Sequence, residues 1–245
     1  MERTKYFLVC LFALFSAALI AQNNPAIYSS YAAGKMSEWK HTIDSIEALK
    51  LKGNKELLDL VNYQYGYVGW CIGKKKSEEA EQYMSSAHAI LKLLEQRKYN
   101  LSILYAYKAA FVGFSIGLAT YKAPIIGPKS IQYAKKSISL DSTNCWGHMQ
   151  LGNIAFYTPK VFGGSKTEAV KHYLKALRLM EKDKAYRVQN WNYLNLLATI
   201  INAYMDLNQY ETARKYCVKA LAVEPKFSWV KNNLYPKISE KLNNE

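Results

Sequence analysis

Residues Gly113 to Leu140 and Gly152 to Leu179 superimpose at an offset of 39 residues, and no other feature of this 245-residue chain limits its fold so strongly. In the first copy Gly113 leads to Ser130, Ala134, Ser137 and Leu140; in the second Gly152 leads to Ala169, Tyr173, Ala176 and Leu179. The same four positions return at Ala213, Cys217, Ala220 and Val223, after which Pro225 closes the helix. A weaker copy places Ala80, Met84 and Ala87 behind a Tyr-rich stretch that starts near Val61, and Met36 to Leu49 reads as the second helix of an earlier pair. Small residues recur where two helices must approach closely. A unit of this size cannot bury its apolar face alone and must stack on its neighbours, so five hairpin-sized units are expected.

The spacing within a copy is helical. Ala169, Val170, Tyr173, Leu174, Ala176, Leu177 and Met180 form one apolar stripe, and strand-type alternation is sustained nowhere. Start signals agree: Ser165 with Glu168 makes a capping box, Asn208 with Glu211 imitates one, Ser77 precedes Glu78 and Glu79, and Pro128 follows Gly127. With only 12 Gly and 6 Pro in a chain that is 50% hydrophobic, a turn-dense β-sandwich and a disordered polyelectrolyte are both excluded. The fold class is all-α.

These residues resemble the tetratricopeptide repeat family. Its pattern has a large residue, Leu-Gly and Tyr on the first helix, then Ala, an aromatic, Ala and Pro on the second. Leu197, Ile200, Ile201, Tyr204, Ala213, Cys217, Ala220 and Pro225 carry it in the last copy, and Leu151 with Gly152 supply the Leu-Gly pair one unit earlier. Ile201 replaces the Gly and Cys217 the aromatic, and two units carry extra residues between their helices. The resemblance implies a right-handed α-solenoid of about five antiparallel helix pairs. Its divisions are a signal peptide at 1–21, an N-terminal helical segment at 22–54, a repeat array at 55–227 and a C-terminal capping helix at 228–245. The connectors, with Tyr157, Pro159, Phe162, Gly163 and Gly164 in one unit and Tyr121, Pro124 and Gly127 in the preceding one, followed by an Ala-rich helix, are also similar to the T component of periplasmic TRAP transporters.

The amino terminus reads as an export signal. Arg3 and Lys5 precede an apolar run from Phe7 to Ile20 in which Ser16 is the only polar side chain, and the run ends at Ala21 and Gln22. It is shorter than the roughly 20 apolar residues of a spanning helix, so cleavage after Ala21 and a periplasmic or secreted location are expected, with no transmembrane span in the mature chain. Cleavage leaves Cys71, Cys145 and Cys217, an odd and widely spaced set that fits buried small hydrophobes better than a disulfide framework.

Motifs for chemistry are missing. Gly164-Ser165-Lys166-Thr167 lacks the Gly that a phosphate loop needs before its Lys. The histidines His41, His88, His148 and His172 have no metal-ligand spacing, and no nucleophile elbow surrounds any Ser. The expectation is a chain without catalytic residues, metal or cofactor. Gly66, Gly69, Gly73, Gly113 and Gly117 are expected to let paired helices pack closely.

In tetratricopeptide arrays the first helix of each pair lines a concave groove. By that resemblance the inward positions are Asn62, Tyr65, Gly69 and Ile72; Tyr107, Ala110, Phe114 and Gly117; Trp146, Met149, Asn153 and Phe156; and Asn195, Ala198, Asn202 and Met205. None is charged. The candidate binding residues are Tyr65, Tyr107, Phe114, Trp146, Met149, Asn153, Tyr157, Asn195 and Asn202, because aromatic area with amide donors and acceptors suits a helix, a peptide or an uncharged small molecule. An acidic peptide terminus calls for Lys or Arg instead. The net charge of +14 gathers on second helices, among them Lys171, Lys175, Arg178, Arg214 and Lys215, where it solvates the convex face without the interleaved aromatics of a nucleic-acid groove. The chain thus reads as an exported, non-enzymatic scaffold for another envelope protein or peptide, or alternatively a solute-binding partner of a transporter.

Overall fold

The small residues of the repeat determine how the helices meet. The structure, a computed structural model, describes residues 24–244, so the expected signal peptide and Cys10 lie outside the described residues. Five antiparallel hairpins follow one another: α1 (Pro25–Ala33) with α2 (Met36–Glu47), α3 (Asn54–Gly73) with α4 (Ser77–Gln96), α5 (Leu101–Leu118) with α6 (Ala123–Leu140), α7 (Cys145–Tyr157) with α8 (Lys166–Glu181), and α9 (Trp191–Asp206) with α10 (Tyr210–Val223). Among the described residues there is no strand. Ala80, Met84 and Ala87, Ser130, Ala134 and Ser137, Ala169, Tyr173 and Ala176, and Ala213, Cys217 and Ala220 are all buried, as the offset requires. The fourth repeat position is not. Leu140 and Val223 are exposed, because the second helix is already leaving the array there.

Caps and breaks follow local chemistry, with two departures from expectation. Ser165 caps α8, its Oγ accepting from the Glu168 N–H at 3.2 Å, while the Glu168 carboxylate turns to Lys171. Asn208 starts no helix. It adopts a left-handed φ of 56° just past α9, and α10 begins after Gln209 without a side-chain cap. Pro128 does not mark the start of α6 either: that helix begins at Ala123 with Pro124 in its first turn, and Pro128 lies inside it. At the carboxyl end Pro236, lacking an N–H, divides the terminal segment into a π-helical turn at Val230–Leu234 and α11 (Tyr235–Asn243).

α5 is long and apolar enough to cross a membrane, contrary to the expectation that no such run follows residue 21. Here it forms a hairpin with α6, buries Leu104, Ala106, Tyr107, Ala109 and Phe111, and pairs Lys108 with Glu95.

The array closes on itself. The N-terminal hairpin packs on α3 in the usual sequential way and also reaches α9 of the last repeat. Tyr31 lies 5.5 Å from the Trp191 ring and 5.5 Å from Phe227, and Trp39 meets Trp191 edge-on at 4.8 Å. The Tyr31 hydroxyl donates to Asn195 Oδ1 at 3.0 Å, and Trp39 Nε1 donates to the Tyr63 carbonyl at 3.1 Å. Gly66 on α3 provides the clearance: a Cβ there would stand 2.6 Å from Trp191 and 2.7 Å from Trp39.

The glycines are therefore not equivalent. Gly152 accommodates Tyr173 of its paired helix, where a Cβ would come within 2.5 Å, but Gly113 and Gly73 face nothing within 4 Å. Gly66→Ala is expected to destabilise by roughly 1–3 kcal/mol through overpacking. Gly113→Ala is expected to stabilise by about 0.5–1 kcal/mol through helix propensity. Thermal melts of the two variants should shift in opposite directions.

Candidate functional site

Depth along the first helices divides the expected groove in two. These helices run side by side in the same direction, so equivalent positions form rows. The residues nearest their N-termini, Asn62, Tyr65, Tyr107, Ala110, Trp146, Met149 and Ala198, are buried, and only Asn195 in these two rows is half-buried. The residues nearest their C-termini, Gly69, Ile72, Phe114, Gly117, Asn153, Phe156, Asn202 and Met205, all remain at least partly exposed. The wall formed by the first helices thus has a buried half, the floor, and a partly exposed half, the mouth.

An aromatic and amide network closes the floor. The Asn62 Oδ1 accepts from Trp191 Nε1 at 2.7 Å and from Asn192 Nδ2 at 3.2 Å, and its Nδ2 donates to the Tyr107 hydroxyl. Tyr65 stacks on Phe114 at 5.3 Å and meets Tyr107 edge-on at 5.8 Å. Burial pushes the Tyr65 and Tyr107 phenols above their ordinary value, which keeps them neutral donors and acceptors. Tyr65, Tyr107, Trp146 and Met149 therefore form the core of the ring. They were expected to offer contact surface, but all four are buried, Tyr65 against Tyr107 and Trp191, and Tyr107 against Trp146.

Of the remaining candidates, the asparagines differ among themselves. Asn153 is fully engaged: its Oδ1 accepts from the Tyr173 hydroxyl at 2.9 Å and its Nδ2 donates to Gln150 Oε1 at 3.1 Å. Asn195 holds Tyr31. Asn202 donates only to its own helix, at the Ala198 carbonyl 2.9 Å away, and stays half-exposed in the mouth beside Met205. Phe114 is the candidate aromatic that spans floor and mouth. Tyr157, 76% exposed, stands on the rim.

The sequence singled out these connectors and Tyr157 but not the exposed apolar rim they form. The connectors after α5 and α7 are short 3₁₀ turns, Thr120–Lys122 and Lys160–Phe162, which expose Tyr121, Val161 and Phe162. Their signal was the extra length between paired helices, together with apolar residues next to Pro and Gly. Around the outside, Lys171, Lys175, Arg178, Arg214 and Lys215 are exposed on second helices as expected. Lys171 and Arg214 pair with Glu168 and Glu211.

Two shallow hollows, of about 350 Å³ between α1 and α2 and about 320 Å³ among Asn100, Asp141, Leu179 and Tyr186, contain no residue of the mouth. The structure also joins two histidines that sequence spacing kept apart. The rings of His148 and His172 lie 6.1 Å apart between α7 and α8, and His148 Nε2 is 3.2 Å from the Ser142 carbonyl. Burial lowers both imidazole pKa values, and each is lowered further by a neighbouring positive charge.

Two outcomes follow. Asn153→Ala should cost roughly 1–3 kcal/mol in chemical denaturation by stranding Tyr173 and Gln150, whereas Asn202→Ala should cost less than about 0.5 kcal/mol. For the histidines, a folded pKa below 6.5 means that the unfolded chain binds more protons as pH falls through that value. Stability is then whole above pH 6.5 and declines below it. The double change His148→Asn and His172→Asn should flatten the fall in melting temperature between about pH 7 and pH 5.

The tetratricopeptide repeat pattern matches residues 202–227, the end of α9 through α10 to Phe227. In fold the chain is similar to the HusA haemophore from Porphyromonas gingivalis, with a TM-score of 0.55 and 15% identity over 75% of this chain and 86% of that one. It is also similar to a thermophilic TPR protein of Thermus thermophilus, with a TM-score of 0.52 and 15% identity over 91% of this chain and all of that one. No curated protein matches it. The chain is an all-α solenoid of helical hairpins, similar in fold to a tetratricopeptide repeat protein and matching that repeat's pattern in its last hairpin.

Proposed function

We propose that this protein is an exported, non-enzymatic scaffold that holds an extended segment of a partner protein of the cell envelope across the open half of its concave wall. One observation carries the reading: every residue in the two outer rows of the first helices is uncharged and accessible, above a floor that is already packed. A segment lying there meets Ile72, Phe114, Phe156 and Met205 as apolar area, with Asn202 left to accept an N–H. The rigid floor means the receptor is ordered before binding, which lowers the entropic cost of association. Export is supported by the Arg3, Lys5 and Phe7–Ile20 pattern.

The open shape favours a polypeptide over a small solute, since small-molecule sites are concave enough to enclose most of their ligand. A second reading, an apolar solute of cofactor size, has one observation in its favour: the fold likeness to a haemophore.

Photo-crosslinking separates the readings. A photoreactive residue at Met205 or Phe156, in protein produced in its own cells, should trap a stoichiometric partner, and one at Lys175 should not. Phe156→Gln with Met205→Gln should weaken that capture at least about tenfold, the loss expected for two central apolar contacts. Equal trapping from Lys175, or capture unaffected by the double change, would reject the mouth. A retained small mass in native mass spectrometry, or a Soret shift on adding haem that the double change abolishes, would move the assignment to the solute.

A further inference from the structure

The rim of the mouth carries apolar side chains that no groove explains. Tyr121, Ile125, Tyr157, Val161 and Phe162 are each more than three-quarters exposed, and all lie on or beside the connectors after α5 and α7. Because α5 and α7 pack against each other in the same direction, both connectors emerge at one end of the array. Leu49 and Leu51, also exposed, lie in the connector between α2 and α3 at the opposite end.

The tips are built to protrude. In the second connector the Phe162 N–H donates to the Pro159 carbonyl at 2.9 Å, the Gly163 N–H to Lys160 at 3.0 Å and the Ser165 N–H to Ala155 at 2.8 Å. Gly163 takes a φ of 89°, and Gly164 lies so close to the Thr158 carbonyl that a Cβ would overlap it at 1.7 Å. This turn holds Val161 and Phe162 outward and prevents them from folding back onto Phe156.

Charge at this end is lopsided. The two connectors after α5 and α7 carry Lys122 and Lys160 and no acidic residue, and Lys129 follows in the first half of α6. Lys122, Lys129, Lys160 and Lys166 surround the tips, and Lys74, Lys75 and Lys76 occupy the adjacent connector ahead of Glu78 and Glu79. Of the acidic residues near the second tip, Asp206 pairs with Lys166, and Glu168 with Lys171.

We propose that this rim docks on an anionic lipid bilayer, with Phe162, Val161, Tyr121 and Ile125 entering the boundary between headgroups and acyl chains and the surrounding lysines meeting lipid phosphates. Convex apolar tips, Tyr rings and flanking Lys suit that boundary, where each side chain keeps an apolar body in lipid and a polar end in water. The proposal does not depend on the mouth holding a partner.

Vesicle co-sedimentation of the protein from residue 22 onward tests it, since that form contains the whole described fold. Vesicles of phosphatidylcholine with about one-third phosphatidylglycerol should bind at least about tenfold more protein than phosphatidylcholine alone. Binding should fall by a similar factor in Val161→Ser with Phe162→Ser and in Lys122→Gln with Lys160→Gln, while thermal melts stay unchanged. Phe162→Trp fluorescence should shift to the blue and be quenched by brominated acyl chains. Absence of binding overturns the proposal. So does binding that the rim variants retain but Lys171→Gln, Lys175→Gln and Lys215→Gln together abolish, which would assign it to the convex face. A dimer without lipid affinity that dissociates in Val161→Ser with Phe162→Ser would assign the rim to a second copy. Crosslinking from Met205 stays independent of all these results.

Discussion

One buried carboxamide ties the first helices of three hairpins together. Asn62 sits on the first full-length hairpin, yet its oxygen serves Trp191 and Asn192 of the last, and its nitrogen serves Tyr107 between them. Its acceptor and donor thus join three helices of the concave wall, its own and two others. A buried amide of this kind contributes modest net stability but costs heavily if any partner is removed, so it selects one arrangement of α3, α5 and α9 over its neighbours. The indoles of Trp39 and Trp191 then fill the space that Gly66 leaves open.

Closure also explains why the wall has a floor and a mouth. An open solenoid exposes its first helices along their whole length. Here α1, nine residues long, packs against α9. Tyr31 ties to Asn195 and Phe227 there, and the outer half of each first helix stays partly exposed. The partly exposed half is what these closing contacts leave uncovered. No side chain has to be specialised to make it.

Much of this was legible in the sequence, and the limits have physical causes. Ala134, Ala176 and Ala220 could be read because a second helix buries one stripe against its own hairpin partner, a local constraint that recurs at a fixed offset. The uncharged inward rows could be read for the same reason. Their depth could not, because Tyr65 is covered in part by Trp191 of α9, more than a hundred residues further along the chain, and no periodicity encodes that contact. Asn153, Asn195 and Asn202 look alike as residues, but one is engaged by Tyr173 and Gln150, one by Tyr31, and one only by its own helix. Asn208 misled because the left-handed conformation that ends a helix and the side chain that starts one favour the same residue type.

The distribution of charge follows from the same geometry. A lysine in the floor would be buried among Trp191, Tyr107 and Tyr65, at a desolvation cost that neutral rings and amides do not offset. The floor is therefore restricted to aromatics and amides, whose polar ends can be satisfied by one another. The excess of basic residues is left with two places, the second helices and the connectors. On the second helices several lysines and arginines find an acidic neighbour one turn away, as Lys171 and Arg214 do. On the connectors after α5 and α7 the chain supplies almost no acid and adds exposed apolar side chains in its place. A basic surface that exists only for solubility has no reason to carry Val161 and Phe162 at its most exposed points, and that coincidence sets the rim apart from the rest of the positively charged exterior.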